Sequence, residues 1–253
     1  MARTPDGPPP PPTVQRLRMH YAKRGRLRFS SHRDFQRAFE RALRRAAVPM
    51  AYSAGFSPHP KVSYAGAAPT GVASEAEYLE IGLAQRCDPE RLRAALDASL
   101  PPDLDVLEMV EVAPPPPNVK AESLADRLEA SLWELRLDGV PPMDADTAVA
   151  AFLASECIEV SRMTKNGLRT FDARSAVVAL ETVAGGPCAI LRLVVRHVTP
   201  AVRPDDVLAA LASIGDLAPP ATTLVTRLAQ GPLDELAGTV SDPLAPDRGA
   251  VGT

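Results

Sequence analysis

The stretch RLRMHYAKRGRLRFSSHRDFQRAFERALRRA (Arg16–Ala46) decides the fold. Leu17, Met19 and Tyr21 alternate with polar neighbours, which is the period of a half-buried strand. Lys23-Arg24-Gly25 reads as a turn, and Arg26–Phe29 as renewed extended chain. Ser30 or Ser31 then caps a helix in which Phe35, Ala38, Phe39, Ala42, Leu43 and Ala46 form one apolar stripe, ending before Val48-Pro49. Outward from this βα start, Ser63–Ala65 and Tyr78–Leu83 read as strands around a Pro/Gly loop. Asp88-Pro89-Glu90 opens a helix that stops at Pro101, and Leu104–Val112 closes the half. The order is β-α-β-β-α-β.

The proline run in Ala113–Asn118 interrupts the fold, since proline donates no backbone hydrogen bond. Beyond it the order recurs. Leu132–Leu137 is a strand and Ala145–Ala154 a helix, and Ile158–Met163 passes through a turn at Lys165-Asn166-Gly167 into further extended chain. Cys188–Val198 is a β run, Pro204-Asp205-Asp206 opens a helix ending at Gly215, and Thr222–Ala229 is a last strand. This is the split βαβ pattern. The expected class is α+β, with two tandem ferredoxin-like (βαββαβ) domains. The boundaries read as a disordered Pro-rich tail at 1–13, a basic domain at 14–113, a linker at 114–129, a second domain at 130–232 and a C-terminal tail at 233–253.

Proline is 27 of 253 residues, well above the usual ~5%, but Pro8–Pro12 and Pro114–Pro117 account for much of the excess. The rest is globular in composition. No apolar run approaches the ~18–20 residues that span a bilayer, so a soluble, cytoplasmic protein without a membrane partner is expected. Cys87, Cys157 and Cys188 are odd in number and far apart, which fits neither a disulfide framework nor zinc spacing. They read as small buried residues. The net charge of -3 conceals a separation: Val14–Ser63 holds twelve Lys/Arg against Asp34 and Glu40, about +10, and the remainder is about -13. A local field of that sign attracts polyanions.

Arg33, Arg37, Arg41, Arg44 and Arg45 fall within roughly a 120° arc of the first helix, nearly opposite its phenylalanines. Arg16, Arg18, Lys23, Arg24, Arg26 and Arg28 precede them, with almost no acids nearby in sequence. Guanidinium groups fork two hydrogen bonds to anionic oxygens, so this pattern suits phosphates. Ser53–Lys61 (SAGFSPHPK) is a loop stiffened by Pro58 and Pro60 that presents Phe56, His59 and Lys61, an aromatic beside basic donors, which is how single-stranded RNA is usually held; the alternative is that Phe56 plugs the core and the prolines shape a turn. Lys165, Arg169 and Arg174, with Asp172 between the last two, make a second polar cluster. Its alternatives are an Asp–Arg ion pair or a second anion site. His20, His32 and His59 share the basic segment, and His32 and His59 are candidates for an acid/base pair in a metal-free ribonuclease. Glu75 and Glu77 read as exposed carboxylates. No metal site or cofactor is expected, and GxGxxG after a strand, GxxxxGK[ST], HExxH, GxSxG and CxxxCxxC do not occur.

FSSHRD (Phe29–Asp34), ERALRRA (Glu40–Ala46), AYSAGFSPHPKVSYA (Ala51–Ala65) and GVASEAEYLEI (Gly71–Ile81) resemble the radical S-adenosylmethionine-linked (radical-SAM-associated) proteins, a bacterial family of unknown function. TKNGLRTFDAR (Thr164–Arg174) and VTRLAQGPLDE (Val225–Glu235) look like that family too. The resemblance implies a domain fused to, or encoded beside, a radical SAM enzyme, and in high-GC bacteria a gene near ribonuclease E/G and ribosomal protein genes. The expected function, read from the basic segment and in agreement with that resemblance, is that of a non-catalytic accessory factor in RNA processing or modification. It binds RNA or a ribonucleoprotein through Arg33, Arg37, Arg41, Arg44, Phe56, His59, Lys61, Lys165, Arg169 and Arg174. The alternatives are a protein-interaction module that presents substrate to a separate radical SAM enzyme, and the metal-independent ribonuclease.

Overall fold

The computed structural model describes residues 10–113, 122–165, 167–183 and 186–248. Most of the Pro-rich tail, the Pro114–Pro117 run and Asn166 lie outside them. The described residues are mixed α+β and fall into two compact units. One runs up to Asp126 and resumes at Pro243, and the other is Arg127–Asp242.

The first unit starts with β1 (Gln15–Lys23), whose alternation places Leu17, Met19 and Tyr21 in the core. Arg26–Phe29, expected to be extended, is instead part of a 3-10 turn over Gly25–Phe29. Gly25 takes φ +48 beside Asp103, and the amides of Arg28 and Ser30 bond back to the carbonyls of Arg24 and Leu27. The helix α1 (His32–Arg45) follows. Ser31 is its cap and forms a reciprocal capping box with Asp34, which a serine three residues before an acid allows. Phe35, Phe39, Ala42 and Leu43 are its buried face, and the Phe35 ring stacks on Tyr21 with centroids 4.5 Å apart. Each buried phenylalanine contributes roughly 1.5–3 kcal/mol.

β2 (Val62–Ala65) and β3 (Ala73–Leu83) come next, then α2 (Pro89–Asp97), capped by Asp88 with Pro89 in the first turn, and β4 (Leu104–Glu111). β1 lies between β4 and β3, β2 lies on β3, and every pairing is antiparallel. One sheet face packs on α1 and α2 through Leu79, Ile81, Leu92 and Leu96. β3 begins five residues earlier than its apolar run, because Ser74 and Glu77 are buried polar residues that break the alternation. Glu77, read as exposed, accepts from the amide of Ala68. Glu75 pairs with Arg24.

The second unit contains β5 (Ala130–Leu137), α3 (Pro142–Ala154), β6 (Glu159–Thr164), β7 (Gly167–Asp172), β8 (Val177–Val183), β9 (Ala189–Arg196), α4 (Pro204–Gly215) and β10 (Leu224–Gly231). Its main sheet runs β10-β5-β9-β8, again antiparallel. The strand beside β9 is thus β8. β6 and β7, which sequence reading placed in that position, pair with each other as a separate hairpin. Trp133 and Leu135 face Leu193 and Leu191 across the β5–β9 ladder, and Phe152, Val207 and Leu211 are buried from the helices. α3 and α4 pack closely: a Cβ on Gly215 would lie 2.6 Å from that of Ala148.

Residues from 233 on, read above as a tail, form β11 (Leu233–Asp234) and β12 (Thr239–Val240), which pair, and a 3-10 turn over Ala245–Asp247 that belongs to the first unit. Among the described residues no helix is long and apolar enough to cross a membrane. All three cysteines are free thiols. Contrary to the sequence reading none is buried, and Cys157 is exposed.

Candidate functional site

The arginines of α1 lie on the side away from Phe35 and Phe39. Arg33, Arg37, Arg41, Arg44 and Arg45 are all exposed. Arg45 donates to the carbonyl of Ser99 at the end of α2. Arg33, Arg37, Arg41 and Arg44 form no hydrogen bond or salt bridge among the described residues. Glu40 stands among them in sequence, and the acid of the first turn is Asp34. The Ser31 hydroxyl and amide hold its carboxyl below the usual range, Arg37 and Arg33 adding to this, so it stays ionised while capping the helix.

The basic residues before α1 behave differently. Arg18 points to the opposite sheet face from α1, as its even position on β1 requires, and is fully buried. It donates to both carboxylate oxygens of Asp247 at 3.1 and 2.8 Å, to Glu80 at 3.1 Å and to the carbonyl of Glu122 at 2.8 Å. Arg16 pairs with Glu80, Arg24 with Glu75 and Asp105, and buried Lys23 donates to the carbonyls of Ala68 and Pro69. Arg28 donates to the carbonyl of Gly71. The eleven basic residues between Arg16 and Arg45 therefore do not make one surface. Acids scarce nearby in sequence are supplied by β3, β4 and the 3-10 turn at Asp247.

The loop after α1 is closed on itself. Tyr52 bridges Pro60, the amide of Ser53 donates to the His59 carbonyl at 2.9 Å, and the amide of His59 donates to Ser53 Oγ at 3.1 Å. Phe56, at the loop's tip, is 70% exposed and fills no core position. Lys61 Nζ donates to Thr13 Oγ1 at 3.0 Å. Where the loop meets the C-terminal end of α1 there is a cleft of about 440 Å³. Leu43, Met50 and Tyr52 line it, with Glu40, Arg44 and His59. Arg44 and His59, singled out from separate motifs, are thus brought together. Glu40, Met50 and Tyr52 were missed. Glu40 standing one helical turn before Arg44, and Tyr52 opening the proline loop, were the available signals.

The histidines have separate settings. His20 Nε2 lies 2.6 Å from the Glu75 carbonyl oxygen, and its ring stacks on Tyr78. His32 is 3.1 Å from the Gln36 amide and edge-on to Tyr64. His59 belongs to the cleft. In the second unit, Lys165 and Arg169 are exposed on the β6–β7 hairpin, where Met163 and Leu168 face each other at 73% and 67% exposure. Arg174 is turned to its own unit instead, over the Phe152 ring and bonded to the Val177 carbonyl. Asp172 does not pair with it through the side chain. Burial raises the Asp172 carboxyl, but the amides of Ile158, Arg174 and Ser175 more than offset this and hold it below the usual range.

Residues 16–204 match the model of a family described as "Uncharacterized protein conserved in bacteria (DUF2344)". A solved structure, that of an unknown protein from Galdieria sulphuraria, is 13% identical over 72% of this chain and 80% of that one, with a TM-score of 0.24. No curated protein matches the chain.

Proposed function

The chain belongs to the bacterial family DUF2344 over a span that includes α1 and the Ser53–Lys61 loop, and from the chemistry of those two elements we propose that it is a cytoplasmic accessory factor that binds single-stranded RNA or a ribonucleoprotein. The observation that carries this reading is the set of four exposed guanidinium groups, Arg33, Arg37, Arg41 and Arg44, with no hydrogen-bonded or ion-paired partner among the described residues. Phosphates satisfy such groups two bonds at a time. Phe56, exposed at the loop tip, supplies a face on which a base stacks, and Lys61 and His59 flank it. The arginines of β1 are left out of this surface, since they are bound to carboxylates. Lys165 and Arg169 are a basic patch of the second unit.

The test is a binding titration of unstructured RNA against salt. Neutralisation of four phosphates gives a slope of roughly -3 in log affinity against log salt. Replacing the four arginines by glutamine flattens it, and a slope near zero for the unaltered protein overturns the reading.

A second reading, a module that docks on a separate radical SAM enzyme, draws on the hairpin: Met163 and Leu168 are large apolar side chains set in solvent beside Lys165 and Arg169. Co-purification with such an enzyme that survives nuclease and is lost on Leu168→Ser supports it. We also read both units as ferredoxin-like, on the strand orders β4-β1-β3-β2 and β10-β5-β9-β8 with two helices each. The β6–β7 hairpin is then an insertion in the second.

A further inference from the structure

The cleft at the end of α1 has a chemistry distinct from the arginine face beside it. Leu43 and Met50 are buried and give it an apolar floor, and Tyr52, 42% exposed, puts an aromatic ring in its wall. Its volume of about 440 Å³ is in the range that holds one small planar ligand. Glu40, on α1, is half-buried in the lining. Although it stands four residues before Arg44, the two form no salt bridge, and Glu40 has no hydrogen-bond partner among the described residues. The site thus combines an apolar and aromatic slot, a carboxylate that has no hydrogen-bonded partner among the described residues although its charge bears on the Tyr64 hydroxyl, and, in Arg44 and His59, donors for an anion.

Two carboxylate oxygens side by side match two N–H donors side by side. Guanine has that arrangement on its Watson–Crick edge, at N1 and N2. Adenine and cytosine offer one amino group next to a ring acceptor, which a carboxylate repels, and uracil sets a single N–H between two carbonyls. Resting on the RNA-binding reading above, we infer that the cleft holds a single unstacked guanine. Glu40 reads N1–H and N2–H, Tyr52 contacts the base, and Arg44 and His59 meet the adjoining phosphate. The protein then binds single strands generally through the helix and selects position by one base.

Short labelled pyrimidine RNAs carrying one central guanine, inosine or adenine test this by fluorescence anisotropy with the full chain. Guanine should bind about ten- to a hundredfold tighter than adenine, the discrimination of a bidentate base contact, with inosine, which lacks the N2 amino group, between them. Glu40→Ala, which removes both acceptor oxygens, should bring the guanine and adenine strands to equal affinity while leaving the salt slope as it is. Equal affinity for all three strands in the unaltered protein, with a steep salt slope, overturns the guanine site and leaves the phosphate surface standing. Failure of every strand to bind at low salt overturns both. The comparison among strands needs no variant, so a folding defect cannot mask it.

Discussion

β1 with its following turn and α1 are neighbours in sequence, pack on one another and are similarly rich in arginine, yet their guanidinium groups end differently. On the strand side Arg16, Arg18 and Arg24 all lie against carboxylates, and Arg18 is enclosed by them. On the helix Arg33, Arg37, Arg41 and Arg44 form no salt bridge among the described residues, and Arg33 and Arg37 act on the Asp34 carboxyl only through its field. Geometry makes the difference. A strand sends alternate side chains to both sheet faces and has neighbours on each edge, so its polar residues come within reach of β3, β4 and later chain. The outer third of a surface helix has no such neighbours. A count of charge along the sequence therefore measures a field only where the residues share an unpaired face.

The largest way to break this comparison is Asp247→Ala. It removes the bidentate carboxylate partner of a buried guanidinium, leaving Glu80 as its one carboxylate among the described residues, and should destabilise the first unit by roughly 3 kcal/mol, read by denaturant unfolding. Joint replacement, Arg18→Met with Asp247→Leu, should recover much of that loss, since the buried charge disappears with its partner. Next is Ser31→Ala, which removes the cap of α1 and should lower stability by about 1 kcal/mol, with weaker RNA binding only in proportion to fraying of the first turn.

A smaller effect sharpens the contrast with a partly desolvated, hydrogen-bonded ring in the second unit. His197 accepts from Ser131 Oγ at Nε2 and donates from Nδ1 to the Leu128 carbonyl, each at 2.7 Å. Burial pushes its pKa below the ordinary histidine value; the Leu128 carbonyl opposes this and Arg227 adds to it. The unfolded chain then binds the proton more readily than the folded one. Stability is full above the ordinary value near 6.5 and falls as pH drops through it, until the ring also titrates in the folded state. Unfolding midpoints at pH 7.5 and 5.5 should show this, and His197→Gln should weaken the dependence. The smallest change in stability belongs to the helix: Arg37→Gln with Arg41→Gln should shift it by no more than about 0.5 kcal/mol. A loss as large as that of Asp247→Ala would erase the distinction between the two elements.

Much of this was legible in sequence where the signal is local. The stripe Phe35–Phe39–Ala42–Leu43, the cap at Ser31, the Asp88-Pro89 start of α2 and the runs of β1 and β9 all depend on neighbours a few residues apart. β8 was missed because the β6–β7 hairpin is also extended chain of similar period, and period alone does not say which strand joins the main sheet. Glu77 and Ser74 hid the first part of β3, their burial depending on partners such as Ala68. The exposed arginine arc was readable at 100° per residue. The fate of Arg18 was not, because its principal partner lies 229 residues away.

That separation also sets an order of events on the ribosome. The second unit, Arg127–Asp242, is one continuous segment placed between the parts of the first. Translation at ~5–20 residues per second takes on the order of ten to forty-five seconds to pass from Arg18 to Asp247. Throughout that interval the nascent first unit holds a guanidinium without its principal counter-ion, and the second unit acquires all its strands before that counter-ion is made. The later-synthesised unit can therefore finish folding first, and the earlier one waits, exposed to chaperones and to premature pairing of its sheet edges, for the last acid to arrive.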